Sequence, residues 1–192
     1  MSEQLEELVI AQQDKLASYC NGKFPALNTG VTYYSQRDNY TMSNRTCNSS
    51  SNAMYLNWLR LATFRKKLSG DNEYLRKVLT IGDTIEHWVQ TTALKAYGFN
   101  TIWKEDSNID LVCGLLKSGF PVVVNILHRG TVEAPRGGHV ICLIGCNKES
   151  VLTHDPYGTL SSDYSDTNGA YSRIPLDEFV TRWQGGYRLL NT

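Results

Sequence analysis

The sequence has no excess of charge of either sign. Its 19 lysine and arginine residues are balanced by 19 aspartate and glutamate residues, so the formal net charge is zero. Proteins that bind nucleic acids without strong sequence preference normally carry a basic excess. The balance argues against a general nucleic-acid binder, and we expect no nucleic-acid partner.

The sequence also lacks a long apolar segment. A helix that spans a bilayer needs ~18 or more mostly apolar residues in a row, and no run approaches that length. The first ten residues, MSEQLEELVI, are acidic and amphipathic, whereas a secretory signal is basic and then apolar. We therefore expect synthesis in the cytoplasm and no membrane insertion. A separate factor, or carriage in a virion, would have to bring the protein to a substrate outside the cell.

A regular disulfide framework is missing as well. The five cysteines are an odd number at irregular spacing, namely Cys20, Cys47, Cys113, Cys142 and Cys146. Such a set does not indicate a stapled secreted domain, so we expect reduced thiols. Cys142 and Cys146 are four residues apart on one predicted strand, but no second pair of zinc ligands is in view. No nucleotide-binding loop is present either, and we expect no metal and no cofactor.

Helical patterns come first along the chain and strand patterns later. We predict an N-terminal helical extension over 1–30, with its helix at 2–19, and one domain over 31–192. This order predicts an α+β fold with an antiparallel sheet. The predicted helices of the domain are 47–67, 71–80, 84–97 (with Asp83 as its N-cap), 108–119 and 176–183. The predicted strands are 31–39 (running into a polar loop), 101–105, 121–128, 139–147, 150–155 and 187–190.

Cys47 is the cysteine whose surroundings suit a nucleophile. Polar residues precede it, and Asn48 and three serines follow before the apolar part of the helix begins. A sulfur at a helix N-terminus lies near unpaired N–H groups and the positive end of the helix dipole, which favour a thiolate. The same features also fit a small structural residue under a helix start. Cys113 lies on an apolar helix face, and Cys142 and Cys146 are expected to share one strand face with Ile144.

His139 is the best candidate for the base among four histidines. It follows Gly137 and Gly138 at the start of a strand, where the imidazole stays accessible,. The strands at 139–147 and 150–155 are predicted to form a hairpin that returns Asp155 to the side of His139. A carboxylate that accepts a hydrogen bond from one ring nitrogen leaves the other to face a thiol. Asp155 could equally be a turn residue that caps the next three residues.

Four short motifs in this order resemble a known family. They are Tyr33-Tyr34-Ser35-Gln36, Cys47-Asn48-Ser49-Ser50-Ser51-Asn52-Ala53-Met54, Gly138-His139 and Asp155-Pro156-Tyr157-Gly158. Together they resemble the papain-like peptidases that process bacteriocin leaders (double-glycine peptidases) and their stand-alone relatives in bacteria and phages. In that family the nucleophile opens a helix as Cys-Gly-Pro-Thr-Ser-x-Ala-Met. Here Asn-Ser-Ser replaces Gly-Pro-Thr.

The resemblance implies a papain-like fold, in which the nucleophile begins a helix that packs on an antiparallel sheet carrying the histidine and the aspartate. It implies a thiol-dependent hydrolase of amide bonds with a Cys47-His139-Asp155 triad. It also implies that Gln36 donates a hydrogen bond to the oxyanion, together with the backbone N–H of Cys47.

Three functions stay open at this point. The first is cleavage of peptides in bacterial peptidoglycan, as in a phage endolysin or a virion-borne wall hydrolase. The second is processing of a protein or leader-peptide substrate. The third, of a different class, is a degenerate binding module or phage structural module without catalysis, which the replaced residues 48–50 would fit.

Overall fold

The structure is a computed structural model that describes residues 30–147 and 149–191. The predicted helix at 2–19 lies outside the described residues. So does the predicted 1–30 extension up to residue 29. Within those residues no helix is both long enough and apolar enough to cross a membrane.

A six-stranded antiparallel sheet forms the centre of the molecule. Its strands are β1 (Thr101–Lys104), β2 (Val122–Arg129), β3 (Arg136–Cys146), β4 (Ser150–His154), β5 (Ser172–Pro175) and β6 (Trp183–Leu190). They lie in the order β1-β6-β2-β3-β4-β5. The predicted α+β class with an antiparallel sheet is confirmed. The sequence prediction missed β5, which is a short edge strand in which only two residues, Ser172 and Ile174, are buried.

Helices cover both faces of the sheet. One face packs against α1 (Cys47–Phe64), α2 (Asp71–Leu79) and α3 (His87–Ala96), and the other against α4 (Ile109–Lys117) and α5 (Leu176–Arg182). The middle strands supply apolar side chains to both sides in alternation, as the period of a strand requires. In β2, Val122 and Val124 join the α4 side, whereas Val123 joins the α1 side. This double coverage explains why the central strands read as continuous apolar runs.

Helix α1 begins at Cys47 because its first turn is anchored by side chains rather than by apolar packing. Ser51 donates its hydroxyl to the carbonyl of Val140 on β3, over 2.9 Å. Residues 48–52 are all buried although each is polar. Buried polar groups of this kind are stable only when they are hydrogen-bonded. The helix ends before Arg65, which adopts a left-handed conformation with φ of 54°,.

Two local predictions were wrong. Asp83 does not cap α3, which begins later, at His87, after Glu86. Instead, Asp83 accepts the N–H of Ile85 and forms an ion pair with Arg45. Residues 31–39 contain no strand, and a short 3-10 helix spans Gln36–Asp38.

The cysteines also differ from expectation. A bulge between Leu143 and Gly145 interrupts the pairing of β3 with β4, and a bulge reverses the faces of the residues that follow it. Cys142 therefore packs on the α1 side, and Cys146 on the α4 side. Cys47, Cys113 and Cys142 carry free thiols, whereas Cys146 is disulfide-bonded. The expectation that every cysteine is reduced was wrong for Cys146.

A loop from Asp155 to Gly169 closes over the end of β4. Asp155 N donates to the carbonyl of Gly169 over 3.0 Å, and Gly169 N donates to the hydroxyl of Tyr33 over 3.2 Å. A Cβ atom at position 169 would lie 1.9 Å from the carbonyl oxygen of Asp155. The loop can therefore close only around a glycine.

We expect Gly169→Ala to lower the free energy of unfolding by about 1–3 kcal/mol, because backbone atoms must move to admit the methyl group. Urea denaturation measures this change. Gly114→Ala is the matched control, since a Cβ there meets nothing within 4 Å. In helix α4 the control should gain about 0.5–1 kcal/mol. Equal stability of the Gly169→Ala variant and the parent would contradict this account of the loop.

Candidate active site

Cys47 is the first residue of α1, and its side chain is partly exposed. The predicted position at a helix N-terminus is thus confirmed. The side chain of His139 and the backbone of Val140 and Asn48 act on the sulfur so as to lower the pKa of the thiol. The sulfur therefore lies where helix α1 meets strand β3, among donors that stabilise a negative charge.

His139 and Asp155 meet at the end of the β3–β4 hairpin. His139 Nε2 lies 2.7 Å from Asp155 Oδ1, and both side chains are almost completely buried. The regular pairing stops at Cys142 and His154, so Asp155 reaches His139 from the turn beyond the strand. Because Nε2 faces the carboxylate, Nδ1 is the ring nitrogen left for the thiol.

Asp155 also has the turn-capping role that the sequence left open. Its Oδ1 accepts the N–H of Tyr157 over 2.8 Å, and its Oδ2 accepts the hydroxyl of Tyr164 over 3.3 Å. The two roles do not exclude each other, because a carboxylate has room for about four donors. The cap fixes the carboxylate and so fixes the orientation of the His139 ring.

Three aromatic side chains surround the His139 ring. His128 stacks on it with centroids 4.5 Å apart, and Tyr157 and Tyr164 lie edge-on at 6.2 Å each. Tyr164 also places its hydroxyl 3.2 Å from His128 Nδ1. Burial lowers the pKa of His128 to about 3, aided by the nearby charges of His139 and two arginines. His128 is therefore neutral and leaves the positive charge to His139.

The electrostatics of the site favour a thiolate–imidazolium pair. Burial opposes ionisation of Cys47, but the charge and hydrogen bond of His139 outweigh it and lower the pKa of the thiol. Burial likewise disfavours the charged form of His139, but the Asp155 carboxylate and the Cys47 thiolate raise its pKa above the ordinary value. Such a pair can attack a carbonyl carbon and then protonate a leaving amine.

Gln36 is hydrogen-bonded to the turn after Asp155 through its backbone, and its side chain bonds to Ser43. Its backbone N–H donates to the carbonyl of Pro156 over 2.9 Å, which joins it to the turn after Asp155. Its side chain is buried, and Nε2 donates to the carbonyl of Ser43 over 2.8 Å. Nε2 has a second proton, which the bond to Ser43 leaves available.

An open cleft of about 270 Å³ lies beside the sulfur. Besides Cys47 and His139, its lining residues are Asn48, Ile85, His87, Asn125, Gly138, Val140 and Gln184. The sequence interpretation gave no role to His87 or to Tyr164. Neither residue has a sequence motif: the packing of α3 brings His87 to the cleft, and the 155–169 loop brings Tyr164 to His139. Among the described residues, no group of three or more potential metal ligands occurs.

The replaced residues after Cys47 are all engaged. Asn48 Nδ2 donates to the carbonyl of Ile85 over 3.0 Å, the hydroxyls of Ser49 and Thr84 are hydrogen-bonded over 2.6 Å, and Ser50 donates to Asp71 over 2.8 Å. These bonds join the first turn of α1 to α2 and to the segment before α3. The residues that replace Gly-Pro-Thr therefore bind the first turn of α1 to its neighbouring segments.

Comparison with models of protein families shows to which family the chain belongs. The sequence model described as "Peptidase_C39 like family" matches residues 28–188. The chain belongs to the C39-like peptidase family. The expected papain-like cysteine peptidase is thereby confirmed, and the degenerate, non-catalytic interpretation is not. A search of curated protein sequences finds no match to the chain.

Solved structures of C39-like peptidases have the same fold. One is a C39-like peptidase from Bacillus anthracis, with a TM-score of 0.62 and 16% identity, covering 89% of this chain and 98% of that one. Another is the peptidase domain of Streptococcus ComA, a bifunctional ABC transporter of a quorum-sensing pathway. Its TM-score is 0.54 at 18% identity, with 83% of this chain and 97% of that one covered.

We expect the rate at which iodoacetamide alkylates Cys47 of this C39-like peptidase to rise with pH, with an inflection below the ordinary thiol pKa of ~8.5. In His139→Ala the inflection should rise above that value, because burial remains while the stabilising charge is lost. Peptide-resolved mass spectrometry across a pH series measures both. Cys142 is the internal control, since burial raises its pKa and should leave it unlabelled. A Cys47 inflection at or above ~8.5 in the parent would contradict the thiolate assignment.

Proposed function

We propose that this peptidase cleaves amide bonds with Cys47 as nucleophile, His139 as acid and base, and Asp155 as the residue that orients the imidazole. The observation that supports this most directly is the coupled pair at the α1–β3 junction. The pKa of Cys47 is lowered and that of His139 raised, while Asp155 Oδ1 lies 2.7 Å from His139 Nε2.

The reaction proceeds in two stages. The Cys47 thiolate attacks the carbonyl carbon, the C–N bond breaks, and protonated His139 gives its proton from Nδ1 to the leaving amine. The product is a thioester on Cys47. Neutral His139 then takes a proton from water, hydroxide attacks the thioester, the C–S bond breaks and the carboxylic acid leaves. Cys47 is again a thiolate and His139 keeps the proton, which restores the thiolate–imidazolium state.

We assign the oxyanion donors to Gln36 Nε2 and the backbone N–H of Cys47. One proton of Gln36 Nε2 is held by Ser43, which orients the amide plane and leaves the second proton for the substrate. The tie from Gln36 N to the carbonyl of Pro156 fixes the residue relative to Asp155. Preoriented donors of this kind stabilise the transition state without reorganisation.

For the substrate we propose the peptides of bacterial peptidoglycan, cleaved by a wall hydrolase of the phage-lysin or virion-borne kind. Apart from Cys47 and His139, the cleft is lined by apolar, amide and glycine residues together with His87. Burial and the charge of Arg188 lower the pKa of His87 to about 4, so that it is neutral. Wall peptides carry small uncharged residues such as alanine beside many of their amide bonds, and these suit a small neutral cleft.

Processing of a protein or leader peptide is the alternative function. The observation that favours it is the likeness in fold to the ComA peptidase domain. That likeness extends over most of both chains, but at such low sequence identity it shows a shared fold and not a shared substrate.

Incubation of purified peptidoglycan with the reduced protein, followed by mass spectrometry, tests the substrate. We expect soluble fragments that end at one defined amide bond and are absent with Cys47→Ala. Intact peptidoglycan, with a Cys47 that still alkylates at low pH, would overturn the wall substrate and favour a protein substrate. Fragments that survive in Cys47→Ala would overturn the nucleophile assignment.

The variants of the proposed site should fall into a graded series. We expect no turnover above background in Cys47→Ala, a loss of ~100- to 10,000-fold in His139→Ala, and ~100-fold in Gln36→Ala. Asp155→Ala should lose activity partly, since the ring keeps its stacking on His128. Initial rates on the same substrate measure the series. Cys113→Ala, a buried cysteine of α4 outside the cleft, is the matched control and should keep its activity.

A further inference from the structure

His87 lines the cleft beside Cys47, although the mechanism above does not use it. Its ring lies flat on Trp103 of β1, with centroids 3.6 Å apart and planes 9° from parallel. Its carbonyl accepts Arg188 Nη2 over 3.1 Å, and the same guanidinium lies 5.6 Å from the Trp103 ring. The imidazole is therefore held in one orientation at the wall of the cleft.

Asn48, the residue after Cys47, determines which ring nitrogen of His87 carries the proton. Asn48 Nδ2 donates to the carbonyl of Ile85, and Asn48 Oδ1 accepts Asn52 Nδ2 over 2.8 Å, so the amide has one orientation. Its Nδ2 lies 3.5 Å from His87 Nδ1, and one of its two protons is not used by Ile85. A nitrogen that faces a donor is the acceptor of a neutral imidazole. We therefore assign the His87 proton to Nε2.

The Nε2–H group is a donor without a hydrogen-bond acceptor among the described residues. His87 is partly exposed, and its lowered pKa keeps the ring neutral over the working range of a thiol peptidase. Asn125, which also lines the cleft, uses its Oδ1 to accept the N–H of Gly186 over 2.9 Å, which leaves its Nδ2 as a donor. Both polar side chains thus have N–H groups to offer to an acceptor bound in the cleft.

We propose that His87 is a substrate-binding residue that donates its Nε2–H to a backbone carbonyl oxygen of the peptide, next to the bond that is cut. The bound segment is an extended peptide with uncharged side chains, because no lining residue beyond the reacting pair carries a charge. This inference depends on the proposed function of the same cleft. Asn48, which replaces the glycine of the family motif, sets the tautomer that makes the donor.

Two alkylating probes separate this role from the reactivity of Cys47. Iodoacetamide has no peptide segment, whereas benzyloxycarbonyl-Ala-Ala chloromethyl ketone places two residues in the cleft. In His87→Phe the aromatic stack on Trp103 is kept and the N–H is lost. We expect the second-order rate constant for the peptide probe to fall about tenfold, the equivalent of one net hydrogen bond. The rate constant for iodoacetamide should change less than about twofold.

The controls distinguish the possible failures. His87→Gln retains an N–H donor and should recover part of the lost rate. His87→Leu, which also lacks the N–H, replaces the phenylalanine variant if that variant does not fold. Lys95→Gln, on the exposed face of α3, should alter neither rate. An unchanged peptide-probe rate in His87→Phe, or an equal fall with both probes, would overturn the role of His87. A parent Cys47 that reacts no faster than an ordinary thiol would instead overturn the proposed function.

Discussion

The contact between the His139 imidazole and the Asp155 carboxylate is the interaction on which the rest of the site depends. Both side chains are almost fully buried, and burying charge costs several kcal/mol per ion unless each charge is paired and its other polar atoms are satisfied. The surrounding loop meets this demand with the N–H of Tyr157 and the hydroxyl of Tyr164. The 155–169 loop therefore supplies the hydrogen-bond donors that the Asp155 carboxylate needs, and Gly169 allows that loop to close.

The second constraint is the docking of a polar helix start against a strand. Helix α1 presents five consecutive polar residues to the interior after Cys47, and each makes a bond to a neighbouring element or within its own turn. Ser51 reaches β3, Ser50 reaches α2, and Asn52 bonds back to Asn48. Asn52 Oδ1 is a buried atom of this set without a hydrogen-bond partner among the described residues. The directional hydrogen bonds of the other groups position their members more uniquely than apolar packing does. The sulfur of Cys47 owes its place beside His139 to this network.

Much of the site could be predicted from the sequence, because the relevant signals are local. Cys47 is followed by a polar turn and an apolar helix. His139 lies on β3, Asp155 directly follows β4, and the hairpin that joins these two strands is short. Other predictions failed where local signals mislead. Asp83 has the residue type of a cap but forms a turn and an ion pair instead. Cys146 was wrongly assigned to the strand face of Cys142 and Ile144, because a bulge cannot be predicted from the alternation of apolar residues.

The sequence by itself determined the α+β class, the order of helices and strands apart from β5 and the 31–39 segment, and the identity of the cysteine, histidine and aspartate that meet. These follow from periodicity and from residues whose spacing along the chain is short or fixed by one hairpin. The tertiary structure alone decided the surroundings: the stack of His128 on His139, the hydroxyl of Tyr164 on Asp155, and the place of His87 in the cleft. Each of these contacts joins segments that are distant along the chain, and only the packing of the helices and loops around the sheet brings such segments together.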